Sequence, residues 1–270
     1  MNKNLVLSAA IGYKFNQIEL FIKSLRKFYY ESIVFIIGLN DLELEQELKK
    51  FGCEIIKVKT DRKEIQFKRY EIFLKYIHNK EFKSILLCDS RDIYFQANPF
   101  DFNYKGQINF FLEDQLIKNC PHNSNWILKT YGSSEYEKIS NKIILCSGTV
   151  LGEKLKIQEY LNLITKNIFN FRYKKRLKYL LTFRTDPEGR GCDQGHANYL
   201  VHNSKINNLY LYTNNKGPVA TALYLKKIFF DKKSYLVNEL GEPYLLIHQY
   251  DKRWEEFKKP LESFRTNIDI

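Results

Sequence analysis

From Ile85 to Pro99 the chain reads Ile-Leu-Leu-Cys-Asp-Ser-Arg-Asp-Ile-Tyr-Phe-Gln-Ala-Asn-Pro, an apolar run that ends abruptly in two carboxylates. Acids at the C-terminal edge of a strand stand where open α/β sheets bind ligands, and oxygen donors suit a hard divalent ion that holds a phosphate. Asp89 and Asp92 therefore fit a metal-assisted nucleotide-sugar site. The same residues also read as a strand-ending turn, with Asp89 capping the next segment and Asp92 paired with Arg91 or a lysine. Other segments have to decide between the two.

Five of them carry groups of the right kind. Ser8 to Tyr13 places Ala9, Ala10 and Gly12 where a base and ribose could approach the backbone, with Tyr13 available to stack; a plain strand-to-helix turn is the alternative. Arg69, beside Lys68 and Tyr70 ahead of the acidic strand, could reach a phosphate or ribose, or lie on a solvated helix face. Cys146 to Gly152 runs from an apolar strand into Ser147 and Gly148, leaving room for a sugar or marking a bulge. Asp193 and Gln194 open an apolar helix; an N-cap explains Asp193, but a carboxylate and amide entering a pocket together can orient a hydroxyl, act as a base or steady an oxocarbenium ion. Late in the chain, His248 follows the run Tyr244 to Ile247 and could add an imidazole to a metal shell, with Lys252 and Arg253 placed to neutralise a diphosphate.

The elements that must position these groups are legible in the first 90 residues, where short β-like runs alternate with helical periodicity. Strands are predicted at Leu5 to Ala10, Ser32 to Gly38, Glu54 to Val58 and Ser84 to Cys88. Helices are predicted over Ile18 to Phe28, Asp41 to Phe51 and Lys63 to His78. Further on, strands are expected at Ile108 to Leu112, Ile143 to Cys146 and Leu209 to Tyr212, and helices at Lys154 to Asn167 and Asp193 to Val201. The expected class is α/β with a mixed, mostly parallel Rossmann-like sheet in one domain, residues 1–100 forming a nucleotide half and 101–270 an acceptor half.

The 270 residues, 44% hydrophobic, suffice for a sizeable core. No apolar run approaches the roughly 20 residues of a bilayer-spanning helix, and the N-terminus lacks a leader pattern, so a cytoplasmic chain is expected. Five cysteines without a C-x-x-C pair argue against a disulfide framework or a cysteine zinc site. A net charge of +12 favours anionic partners without choosing among nucleic acid, acidic membranes and phosphorylated small molecules. Phe169 to Arg184 interleaves aromatic with basic residues and reads either as a peripheral contact with the anionic inner face of a membrane or as a solvated amphipathic helix.

Taken in order, these segments resemble GT-A-fold glycosyltransferases: a nucleotide-binding N-terminal half, a D-x-D-type motif, a small-residue strand, a D-Q helix and a late histidine. The resemblance implies that Asp89, Asp92 and His248 hold Mn²⁺ or Mg²⁺ on the diphosphate of a nucleotide sugar, that Ala9, Ala10, Gly12, Tyr13, Arg69, Arg91, Ser147, Gly148, Lys252 and Arg253 bind the donor, and that Asp193 and Gln194 face the reacting sugar. It further implies transfer to a surface glycan or glycolipid precursor such as lipopolysaccharide or capsule, and the D-Q helix is closer to retaining members. Asp-Ser-Arg-Asp is one residue longer than D-x-D; Asp92 to Phe100 resembles members with a D-x-R-D-hydrophobic-x-F-Q-x-x-P-F pattern. Either a bulge brings both acids to one ion, or one acid ligates and Arg91 shares the diphosphate charge. A nucleotide- or nucleic-acid-binding protein without catalysis is the other class the basic, aromatic-rich composition permits, with no specific nucleic acid expected.

Overall fold

The computed structural model describes residues 3–182 and 191–268. Its first part follows the predicted alternation closely: β1 (Leu5–Ala9), α1 (Glu19–Phe28), β2 (Ser32–Gly38), α2 (Leu42–Lys50), β3 (Glu54–Val58), α3 (Ile65–Ile77) and β4 (Ser84–Cys88). Then come β5 (Ile93–Phe95), β6 (Ile108–Leu116), α4 (Pro121–Tyr131), α5 (Ser133–Ile139), β7 (Ile143–Glu153), α6 (Lys154–Thr182) and α7 (Cys192–His202). The last elements are β8 (Leu209–Tyr212), β9 (Val219–Thr221), β10 (Phe229–Phe230), β11 (Leu236–Val237), β12 (Leu246–His248) and α8 (Trp254–Asn267).

Seven strands among the described residues form one sheet in the order β3-β2-β1-β4-β7-β6-β8. Only β7 runs against the rest, pairing antiparallel with both β4 and β6. This is the mixed, mostly parallel, Rossmann-like α/β sheet expected from the sequence, and it is continuous across the boundary near residue 100. Both faces are covered, which is why its strands are apolar on successive residues rather than alternately. Leu5 and Leu7 face the side closed by α3, α6 and α7, whereas Val6, Phe35 and Ile37 face α1 and α2.

Two elements extend beyond their expected ends. β7 does not stop at Cys146 but continues through Ser147 and Gly148, and a Cβ at Gly152 would come within 2.7 Å of the Gln107 carbonyl, so the small residues serve close strand approach. α6 does not end at Asn167: Ile157, Tyr160, Leu161, Ile164 and Ile168 keep one side buried, and the helix runs on to Thr182. A second, three-stranded sheet, β5-β12-β9, has strands of three residues each, too short for periodicity to reveal. All five cysteines are buried, and no helix among the described residues is long and apolar enough to cross a membrane.

Candidate metal centre and cavity

Asp89 directly follows β4, whose register with β7 sets Cys88 opposite Thr149; the Asp89 amide then donates to the Gly148 carbonyl at 2.9 Å. Asp92 closes the turn before β5, and β5 pairs with β12 so that Ile93 faces His248, while the Gln249 amide donates to the Asp92 carbonyl at 2.8 Å. Two separate pairings thus deliver an imidazole, encoded some 150 residues later, to the two acids. His248 Nε2 lies 3.6 Å from Asp89 Oδ2 and 3.6 Å from Asp92 Oδ1, and the three ligand atoms all fall within 4.8 Å of one another. The extra residue in Asp-Ser-Arg-Asp is absorbed by this turn, so both acids face one point.

Those separations are too long for hydrogen bonds. Among the described residues Nε2 finds no hydrogen-bond partner, although His248 is only 2% exposed. Atoms bound to one small divalent ion at about 2.1 Å lie about 3 to 4 Å apart, a range that the two 3.6 Å separations from His248 meet. Two carboxylate oxygens favour a hard cation, and the imidazole moves the preference from Mg²⁺ towards Mn²⁺. Gly148 completes the cradle: a Cβ there would stand 2.5 Å from His248 Cε1 and 2.8 Å from Asp89 Oδ2. Burial alone would raise the Asp89 carboxyl, but the Arg69 guanidinium and the facing His248 outweigh it and hold Asp89 well below the usual carboxylate range.

Arg69 ties this centre to α7. From α3 it donates through Nη1 to Asp89 and through Nη2 to Asp193 at 2.8 Å, while Tyr70 Oη donates to the same Asp193 oxygen at 2.8 Å. Asp193 is 3% exposed and engaged by two donors, which tie the start of α7 to Arg69 and Tyr70 of α3. Gln194 stands beside it at the cavity wall, with the Ser147 amide and Asn123 Oδ1 each at the outer limit of hydrogen bonding, 3.5 Å.

The cavity holds about 370 Å³ and contains Ala9, Tyr13, Arg69, Asp89, Arg91, Asp92, Ser147, Gly148, Asp193, Gln194 and His248 from the expected set. Arg91 is paired to Asp251 at 2.8 Å, with Asp92 at 3.6 Å. Four expected donor-binding residues are placed elsewhere. Ala10 is fully buried in the core, and Gly12, in the left-handed region at φ 64°, turns the chain beneath Arg62 without lining the cavity. Lys252 and Arg253 also lie outside it: Gln249 at φ 58° begins a helical turn that carries the chain away, and Arg253 pairs with Glu256 and donates to the Leu225 carbonyl.

Reasoning from sequence missed other lining residues. Arg62 sits over the Tyr13 ring at 4.4 Å from its centroid, covering one face of the proposed stacking platform. Glu113 was detectable, as a carboxylate directly after the apolar run Ile108 to Leu112. It is 2% exposed, its Oε2 has no partner, and burial pushes its carboxyl up to about 7 against the lowering pull of His248, Cys146 and Gln194. Asn123 and Trp126, on the unexpected helix α4, carry no sequence pattern that marks them. No family model matches this chain, and the search of curated proteins found no match.

Proposed function

We propose that this protein is a glycosyltransferase that moves a sugar from a nucleotide diphosphate donor to a hydroxyl of a surface-glycan or glycolipid precursor, with Mn²⁺ or Mg²⁺ held by Asp89, Asp92 and His248. The observation that carries this reading is the unpartnered His248 Nε2 facing two carboxylates at the end of β4, inside a cavity. When bound, the ion would supply positive charge against the departing diphosphate. Arg69 keeps Asp89 ionised and, through Asp193, fixed in direction. Arg91, at the mouth of the Asp89–Asp92 turn, adds a second cation on the diphosphate side. Ala9, Ile11 and Tyr13 form the wall suited to a base and ribose. Glu113, Asn123 and Gln194, which also line the cavity, supply polar atoms for sugar hydroxyls.

A panel of nucleotide sugars assayed for Mn²⁺-dependent hydrolysis without acceptor, with thermal shift in parallel, tests the proposal. One donor is expected to be hydrolysed and to raise the melting temperature only with metal; D89N and D92N lose both effects. No response to any nucleotide sugar, together with tight, salt-sensitive binding to random oligonucleotides, would instead establish the non-catalytic nucleic-acid binder.

A further inference from the structure

The groove between α3 and α6 is larger than the metal-lined cavity, about 950 Å³. Among the described residues its walls include Phe67, Leu74, Ile168, Phe169 and Tyr173, and the charged residues that line it are Lys68, Lys166, Arg172, Lys175 and Arg176 against Glu71. Arg172 already pairs with Glu64 at 2.8 Å, clamping the α6 side of the groove to the start of α3.

Above this groove α6 presents apolar groups to solvent. Phe169 is 67% exposed, Tyr173 56% and Leu180 61%. At about 100° per residue these three fall within about 40° of each other and span about 16 Å of helix. Phe169 and Tyr173 stack on one another, ring centroids 6.3 Å apart, so they form a ridge rather than two independent side chains. Lys166 and Arg176 are exposed along the same stretch. An apolar ridge edged by basic residues matches an interface where acyl chains lie beneath anionic headgroups, whereas a nucleic-acid face has no use for an aliphatic group such as Leu180.

We infer that this face of α6, with the groove beside it, docks onto an anionic bilayer surface. The expected contact Phe169 to Arg184 is described here as far as Thr182; Phe183 and Arg184 lie outside the described residues. α3 gives the inference a consequence, because Phe67 and Lys68 line the groove while Gln66 and Arg69 line the metal-side cavity. Docking would hold that cavity close to lipid-borne acceptors, although membrane binding itself depends on none of the proposed transfer chemistry.

The test is sedimentation of the full-length protein with vesicles of phosphatidylcholine alone or mixed with phosphatidylglycerol, with no nucleotide or metal added. Binding is expected only to the anionic vesicles, unchanged in D89N. K166E/R176E lowers it by about tenfold or more, given a contribution on the order of 1 kcal/mol per basic residue at such a surface, and F169S/Y173S, which changes only exposed positions, lowers it comparably. K232E/K233E, in a turn that does not line the groove, leaves it intact. Absence of a preference for anionic vesicles overturns the inference, as does an equal loss in K232E/K233E, which marks diffuse attraction to a basic protein. Binding of an RNA oligonucleotide that displaces the protein from vesicles and survives F169S/Y173S assigns the face to nucleic acid instead.

Discussion

Adding one methyl group at Gly148 tests the metal centre without removing any ligand. An alanine Cβ there would sit 2.5 Å from His248 Cε1, where ordinary contact begins at 3.4 Å, so the ring or the strand must give about 0.9 Å. The imidazole has little room to retreat, because Cys146 Sγ stands 3.1 Å from its Nδ1 and the residue is 2% exposed. Metal sites tolerate about 0.2 Å in ligand distance. G148A should therefore weaken Mn²⁺ binding by about a hundredfold or more, while overpacking lowers stability by about 1–3 kcal/mol. Calorimetric Mn²⁺ titration and urea unfolding measure the two effects. In an H248A background the ring clash is gone, so the stability cost of G148A should shrink and the cycle should be non-additive by about 1 kcal/mol. A folded G148A that binds Mn²⁺ like the native protein would refute the geometry, and strict additivity would show that His248 is not what the methyl meets.

Two further perturbations read the surrounding charges. The Glu113 carboxyl, raised from 4.5 to about 7 in the folded chain, contributes stability fully present below about 4.5 and lost as pH rises through about 7. In chelator, E113Q should gain on the native protein between pH 5 and 8 by up to about 3 kcal/mol; parallel pH profiles of melting temperature for the two proteins would exclude the assignment. His196 and His202, both lowered to about 4 chiefly by burial, act in the opposite sense, their stabilisation being lost as pH falls below about 6.5. They are common to both proteins and cancel in the comparison. R69M leaves Asp89 and Asp193 without their shared cation and should cost about 3–5 kcal/mol, part of it recovered by adding D193N. An R69M urea midpoint matching the native one would mean that Arg69 is not the clamp between α3 and α7.

The α/β class, β1 to β4 and α1 to α3 were legible because their apolar residues repeat with the period of the element and run long enough to count, whereas α8 and the second half of α6 were not foreseen. Asp89 and Asp92 stood out for the opposite reason, charge breaking an apolar strand without transition. Asp193 shows where local reading stops: a carboxylate opening a helix suggests catalysis or a cap, and only the fold brings Arg69 and Tyr70 to it from a helix more than 120 residues earlier. Lys252 and Arg253 do not line the cavity, for a similar reason. Their charge was visible, but the left-handed turn at Gln249 that directs them away from the cavity was not.

By itself, then, the amino-acid order determined which segments could be strands, which residues could bind a hard cation, and that no C-x-x-C pair was there to build a cysteine zinc site. Tertiary structure alone decided that β5 would lie against β12, that Gly148 would have no room for a side chain, and that the unpartnered nitrogen of His248 would face two acids. Strand periodicity is a property of neighbours along the chain, whereas the register between β5 and β12 depends on how three-residue strands fit among everything packed around them.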